Sequence, residues 1–200
     1  MNPLFMFHIS HLFTYFAVIC GVSSFIIMSE NLGIAAGLLC LAGFFDFMDG
    51  RFARLFPRTK ELKKFGVEID SLVDAVIFGP LLLAALYENF FPKEISLEVI
   101  AIFSFYLISL TTRLGFFNIS SREGSTDFKG MPSTLNALIF SWILYFDGPA
   151  SIVLTLVFIS SILMILPFPL KRPSKFLSWI LIFIFLASSV FQITQGVFKS

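Results

Sequence analysis

The chain has 200 residues, of which 57% are hydrophobic and 14% charged, against roughly a quarter charged in a typical soluble domain. Its 14 basic and 13 acidic residues leave a formal net charge of +1, which gives no electrostatic ground for nucleic-acid binding. The 28 phenylalanines are more than a water-soluble core of this length can bury, so disorder and an ordinary soluble domain are both excluded and lipid is the solvent that fits.

A bilayer's hydrocarbon core is roughly 30 Å thick and calls for about 20 mostly apolar residues per helix. In chain order the apolar runs are 11–28, 32–52, 67–87, 96–117, 132–146, 149–167 and 175–197. His8 and His11 read as interfacial side chains at the mouth of the first run. Cys20 and Cys40 sit inside the first two runs and read as small hydrophobes. Asp147-Gly148-Pro149 marks a tight turn between the fifth and sixth runs, and a re-entrant hairpin there would leave the surrounding loops on the same face. The expected fold is an all-α, polytopic integral membrane bundle of six to seven transmembrane helices, forming one domain over 1–200. No removed signal peptide is expected, because no basic region precedes the first run.

Charge sets the orientation. Arg51, Arg54, Arg58, Lys60, Lys63 and Lys64 follow the second run; Arg113, Arg122 and Lys129 follow or end the fourth; Lys171, Arg172 and Lys175 follow the sixth. These twelve fall on one face, and only Lys93 and Lys199 on the other. The positive-inside rule places the amino terminus and the basic loops in the cytoplasm.

The second run ends Asp46-x-x-Asp49-Gly50, and the third begins Gly66-x-x-x-Asp70-x-x-x-Asp74. Spacings of i,i+3 and i,i+4 put each pair of acids on one helix face. The two runs are consecutive and antiparallel, so the faces can meet near their cytoplasmic ends. An acid at mid-bilayer costs on the order of 2.5–3.5 kcal/mol, and four together repel one another, so either several are protonated or a cation compensates. A carboxylate-rich oxygen site suits a hard divalent cation, Mg²⁺ or Mn²⁺, and two ions can share one such cluster. Gly50 and Ala53 are small beside Asp49, Gly66 leaves room near Asp70, and the planar fork of Arg54 suits phosphate. Acids for metal, small residues for access and an arginine for phosphate fit metal-assisted phosphoryl transfer.

Asp46-x-x-Asp49-Gly50-x-x-Ala53-Arg54 with Gly66-x-x-x-Asp70-x-x-x-Asp74, over residues 46–74, resembles the signature of the CDP-alcohol phosphatidyltransferases. Phe65–Asp74 followed by Phe78-Gly79-Pro80, Arg113–Asn118, and Phe128-Lys129-Gly130-Met131-Pro132-Ser133 are similar to its phosphatidylserine synthase branch. Two departures stand out: the eleven residues Leu55–Phe65 are more than the family usually places there, and Ala17 stands where relatives often carry asparagine.

The resemblance implies transfer of the phosphatidyl group from CDP-diacylglycerol to L-serine, with release of CMP, in a multi-pass protein of the cell membrane whose site faces the cytoplasm. It implies Asp46, Asp49 and Asp70 as ligands of a pair of divalent ions, with Asp74 as the general base that also touches metal. It implies Asp49, Gly50, Ala53, Arg54 and Gly66 as the CDP-lipid site, and a homodimer as the assembly. Arg113 and Lys129, at the mouths of the fourth and fifth runs, are candidates to hold the serine carboxylate, and Asn118 its amino or hydroxyl group. Two alternatives differ in kind. The same chemistry with glycerol 3-phosphate or an inositol phosphate would favour more fixed cations around the acceptor. A divalent-cation transporter would also place acids in a membrane, but here the four cluster at one end and no further acid continues a path.

Overall fold

A computed structural model describes residues 6–91, 96–122, 128–146, 148–170 and 174–199. After a single 3₁₀ turn, Ile9–His11, come α1 (Leu12–Ile27), α2 (Leu32–Ala53) and α3 (Lys60–Val76). A π-helical turn, Ile77–Leu81, runs on into α4 (Leu82–Phe90), followed by α5 (Leu97–Arg122), α6 (Ser133–Phe146), α7 (Ala150–Ile165) and α8 (Lys175–Lys199). Two short strands, β1 (Phe128–Lys129) and β2 (Pro169–Leu170), pair antiparallel and tie the segment before α6 to the segment after α7. The chain is an all-α multi-pass membrane protein, as the apolar runs predict.

Among the described residues, five helical stretches are long and apolar enough to cross a membrane: Ile9–Ile27, Leu32–Ala53, Lys60–Phe90, Leu97–Ser120 and Lys175–Phe198. The fifth and sixth predicted runs fold as helices of 14 and 16 residues. At 1.5 Å per residue they reach only about 21 and 24 Å, short of a full hydrocarbon core.

The third helix starts earlier than its hydropathy suggests. Thr59 accepts a hydrogen bond from the Leu62 amide at 3.2 Å, an N-cap that begins the helix at Lys60. Its first turns are charged and exposed at Glu61, Lys63 and Lys64. The predicted loop over Leu55–Phe65 is therefore helical in its second half, and Asp70 and Asp74 stand well inside α3. One turn beyond Asp74 the helix loosens: Gly79 leaves helical geometry and Pro80 has no amide to donate. Tyr106 Oη donates to the Phe78 carbonyl at 2.9 Å, satisfying a group that lipid would leave bare.

The distribution of side chains is that of a protein in lipid. On α8, Gln192 is 0% exposed while Phe183 is 72% exposed. Buried polar groups of this helix bond inward: Ser189 Oγ donates to the Gly37 carbonyl at 2.8 Å, and Trp142 Nε1 donates to Ser188 Oγ at 3.2 Å. α2 lies at the centre, packed against α1, α6 and α8, and α5 packs on α7. Small residues bring α2 and α8 together. A Cβ added at Gly37 would stand 2.5 Å from Ile193 Cγ1 and 2.9 Å from the Ser189 carbonyl oxygen. Gly37→Val should therefore separate α2 from α8 and destabilise the bundle by about 1–3 kcal/mol, the cost of overpacking. A lowered melting midpoint in detergent is the expected readout, with Phe183→Leu on the lipid-facing side leaving the midpoint in place.

Candidate active site

The hairpin of α2 and α3 gathers the four carboxylates. Asp46, Asp49 and Asp70 each present an oxygen, and these atoms lie within 4.8 Å of one another. Asp46 and Asp74 stand within hydrogen-bonding reach of each other, as do Asp49 and Asp70. Asp74 is the deepest by exposure, 6%. The i,i+3 and i,i+4 spacings thus do what helical geometry predicts: two stripes face each other and merge into one acidic cluster.

Three hydroxyls from outside the hairpin hold it. Thr14 of α1 donates to Asp49 Oδ2 at 3.1 Å, Ser133 of α6 to Asp74 Oδ2 at 2.8 Å, and Thr134 of α6 to Asp46 Oδ2 at 2.9 Å. Each engages one carboxylate oxygen. Asp70 Oδ1 and Asp74 Oδ1 are buried and have no partner among the described residues. Ser133 and Thr134 open α6, so the positive end of that helix's dipole also meets the acids. Several close carboxylate oxygens, some with unused lone pairs, form a donor set that fits a hard divalent cation. Position in sequence alone does not reveal these hydroxyls, since Ser and Thr are frequent in every span.

Around the cluster the small residues behave differently from one another. A Cβ added at Gly50 meets nothing within 4 Å, so this side of Asp49 is open. Ala53 is buried. Arg54 is exposed and donates from Nε to the Gly50 carbonyl at 2.9 Å, which folds the guanidinium back over the end of α2. Gly66 is enclosed: its added Cβ would come 2.8 Å from His11 Cε1 and 3.7 Å from Arg58 Nη1. His11 is not the interfacial residue its position suggests. It is 2% exposed, stacked edge-on against Phe65 with ring centroids 5.6 Å apart. The room that Gly66 leaves is filled by this imidazole, because the turn Ile9–His11 carries the start of α1 inward over α3.

The acceptor candidates separate as well. Arg113 is 9% exposed and donates from Nη1 to Ser133 Oγ at 3.2 Å, one hydroxyl away from Asp74. Asn118 accepts from Ser71 Oγ at 2.8 Å and ties α5 to α3, so its carbonyl oxygen is already engaged. The backbone of Lys129 pairs in β1 with Pro169; its side chain lies outside the described residues.

A family model described as CDP-alcohol phosphatidyltransferase matches residues 7–191. The chain is 35% identical over 143 residues to a Helicobacter pylori CDP-diacylglycerol–serine O-phosphatidyltransferase, covering 70% of this chain and 57% of that protein. A Methanocaldococcus jannaschii protein of the same name is 33% identical over 131 residues, 66% of this chain and 57% of its own. A probable cardiolipin synthase (CMP-forming) of Drosophila melanogaster is 29% identical over 76 residues, 38% of this chain and 23% of its own. The match to each of the two serine phosphatidyltransferases spans little more than half of the relative's length. A family match that runs from ahead of α1 into α8, across the whole acid-bearing hairpin, makes this chain a member of the CDP-alcohol phosphatidyltransferase family.

Proposed function

We propose that this chain transfers the phosphatidyl group of CDP-diacylglycerol to L-serine and releases CMP. The observation that carries the reading is the convergence of Asp46, Asp49 and Asp70 within 4.8 Å, with Asp74 against Asp46, inside a bundle of this family. Asp46, Asp49 and Asp70, with Asp74 at the cluster's edge, would hold one or two divalent ions, Mg²⁺ or Mn²⁺. When bound, such ions supply positive charge against the diphosphate.

The chain's own residues do the rest. The open side at Gly50 admits the cytidine diphosphate beside Asp49, with Ala53 and Arg54 next to it, whereas Gly66 is taken up by its packing against His11. The acyl chains lie along the lipid-facing helices. The serine hydroxyl oxygen attacks the phosphorus that bears the diacylglycerol. As that O–P bond forms, the bond from the same phosphorus to the CMP oxygen breaks, and its electron pair leaves with CMP. Asp74 takes the hydroxyl proton, because an alcohol is a weak nucleophile at neutral pH without a base. The excess of basic residues in one set of loops supports a site at the cytoplasmic face of the cell membrane.

Serine is favoured by two observations. Relatives that align over about two thirds of this chain carry that acceptor in their names. Beside Asp74 stands Arg113, a buried cation able to hold a carboxylate.

Asp74→Asn should lower CMP release by at least about 10²-fold, the usual worth of a general base, while CDP-diacylglycerol still binds; turnover at the wild-type rate would remove Asp74 from the reaction. Removal of divalent ions by a chelator should stop CMP release, and added Mg²⁺ or Mn²⁺ should restore it. In a panel of acceptors offered with CDP-diacylglycerol, L-serine should give CMP and glycerol 3-phosphate should not. Uptake of divalent cations into proteoliposomes lacking CDP-lipid would favour the ion-pathway reading instead.

A further inference from the structure

Ser133 lies between two charged groups, and the chemistry of its neighbours fixes which way its proton points. A guanidinium donates and never accepts. Arg113 Nη1 reaches Ser133 Oγ at 3.2 Å, so the hydroxyl receives that bond on a lone pair. Its single proton then goes to Asp74 Oδ2, at 2.8 Å. Ser133 is buried, 2% exposed, which shields both bonds from solvent. Asp74 Oδ1 is left buried and without a partner among the described residues.

We propose that Ser133 is a positioning residue that sets the orientation of Asp74, with Arg113 acting on Asp74 through it. The inference rests on the reading of Asp74 as the base. A carboxylate turns readily about its terminal torsion, and Asp46 stands beside Asp74 as a competing neighbour. A donor fixed on Oδ2 selects one orientation and presents Oδ1 to the acceptor hydroxyl. Ser133 is itself held from behind. The Met131 amide donates to the Leu163 carbonyl at 2.9 Å, and the Gly130 amide to the Phe168 carbonyl at 3.3 Å. Gly130 has φ 75°, and a Cβ there would drive into the Met164 carbonyl. The strap from Gly130 to Ser133 therefore has one seat on the end of α7, and Arg113 serves the base as well as the substrate.

The test uses the full chain in mixed micelles with CDP-diacylglycerol and L-serine, comparing Ser133→Ala, Ser133→Thr and Asp74→Asn. Loss of a hydrogen bond to a charged group should lower the kcat of Ser133→Ala about ten- to a hundredfold. The KM for CDP-diacylglycerol and the melting midpoint should stay unchanged, and Ser133→Thr, which keeps the hydroxyl, should recover most of the rate. Wild-type kcat in Ser133→Ala overturns the proposal, and so does an equal loss in both Ser133 variants together with a lowered midpoint. If Asp74→Asn is inactive while Ser133→Ala turns over normally, the positioning role alone fails. If Asp74→Asn turns over normally, the reading of Asp74 fails with it.

Discussion

Four carboxyl groups brought together in a membrane protein are the constraint around which this bundle is arranged. At 4 Å and an effective dielectric near 20, two carboxylates repel by about 4 kcal/mol, and Asp46, Asp49 and Asp70 lie on that scale of separation. The fold supplies part of the answer. Three hydroxyls, from Thr14, Ser133 and Thr134, each take one carboxylate oxygen, and the positive end of α6 adds its dipole. None of these carries a full charge. Arg113 is a buried cation that reaches Asp74 through Ser133. The cluster therefore keeps a demand for positive charge of the kind a divalent ion would meet, and the unpartnered Oδ1 of Asp70 lies within it.

The same constraint accounts for the short helices. If Ser133 and Thr134 are to donate to Asp74 and Asp46, α6 must begin at the depth of those acids and not at the membrane surface. It then has only 14 residues before its turn into α7. α7 returns over 16 residues and ends where the strap ahead of α6 crosses it, through the Met131–Leu163 and Gly130–Phe168 bonds and the β1–β2 pair. In lipid such a segment is tolerable because its amides and carbonyls pair with neighbouring backbone.

Much of this was legible in the sequence, because helical spacing is a strong signal. Asp46 with Asp49, and Asp70 with Asp74, needed only the period of a helix and the antiparallel order of two spans. The charge-bearing loops and the apolar runs followed from hydropathy in the same way. Hydropathy misjudged the start of α3, since Lys60–Lys64 are polar and the helix is begun by a cap at Thr59, not by apolar character. The hydroxyl donors were invisible for a different reason. Thr14 and Thr134 are paired with acids 35 and 88 residues away, and no local pattern encodes such pairings. His11 misled because a polar residue at the mouth of a span looks interfacial until the first turn is seen to fold over Gly66.

The contrast between the two glycines of the motif shows how the site is oriented. Both lack a side chain next to an acid, and sequence treats them alike. Gly50 faces open space, whereas Gly66 faces His11, with Arg58 close behind. The α2 arm of the hairpin is therefore the approachable one, and the α3 arm is backed by α1 and by α6. On the proposed reading, a nucleotide approaching from the α2 side would meet Asp49 first, then the clustered oxygens of Asp46 and Asp70, with Asp74 behind them against Asp46. On that same reading, the order would separate the acids nearest the leaving group from the one that serves the acceptor, and it arises because the flanking helices close one arm of the pair.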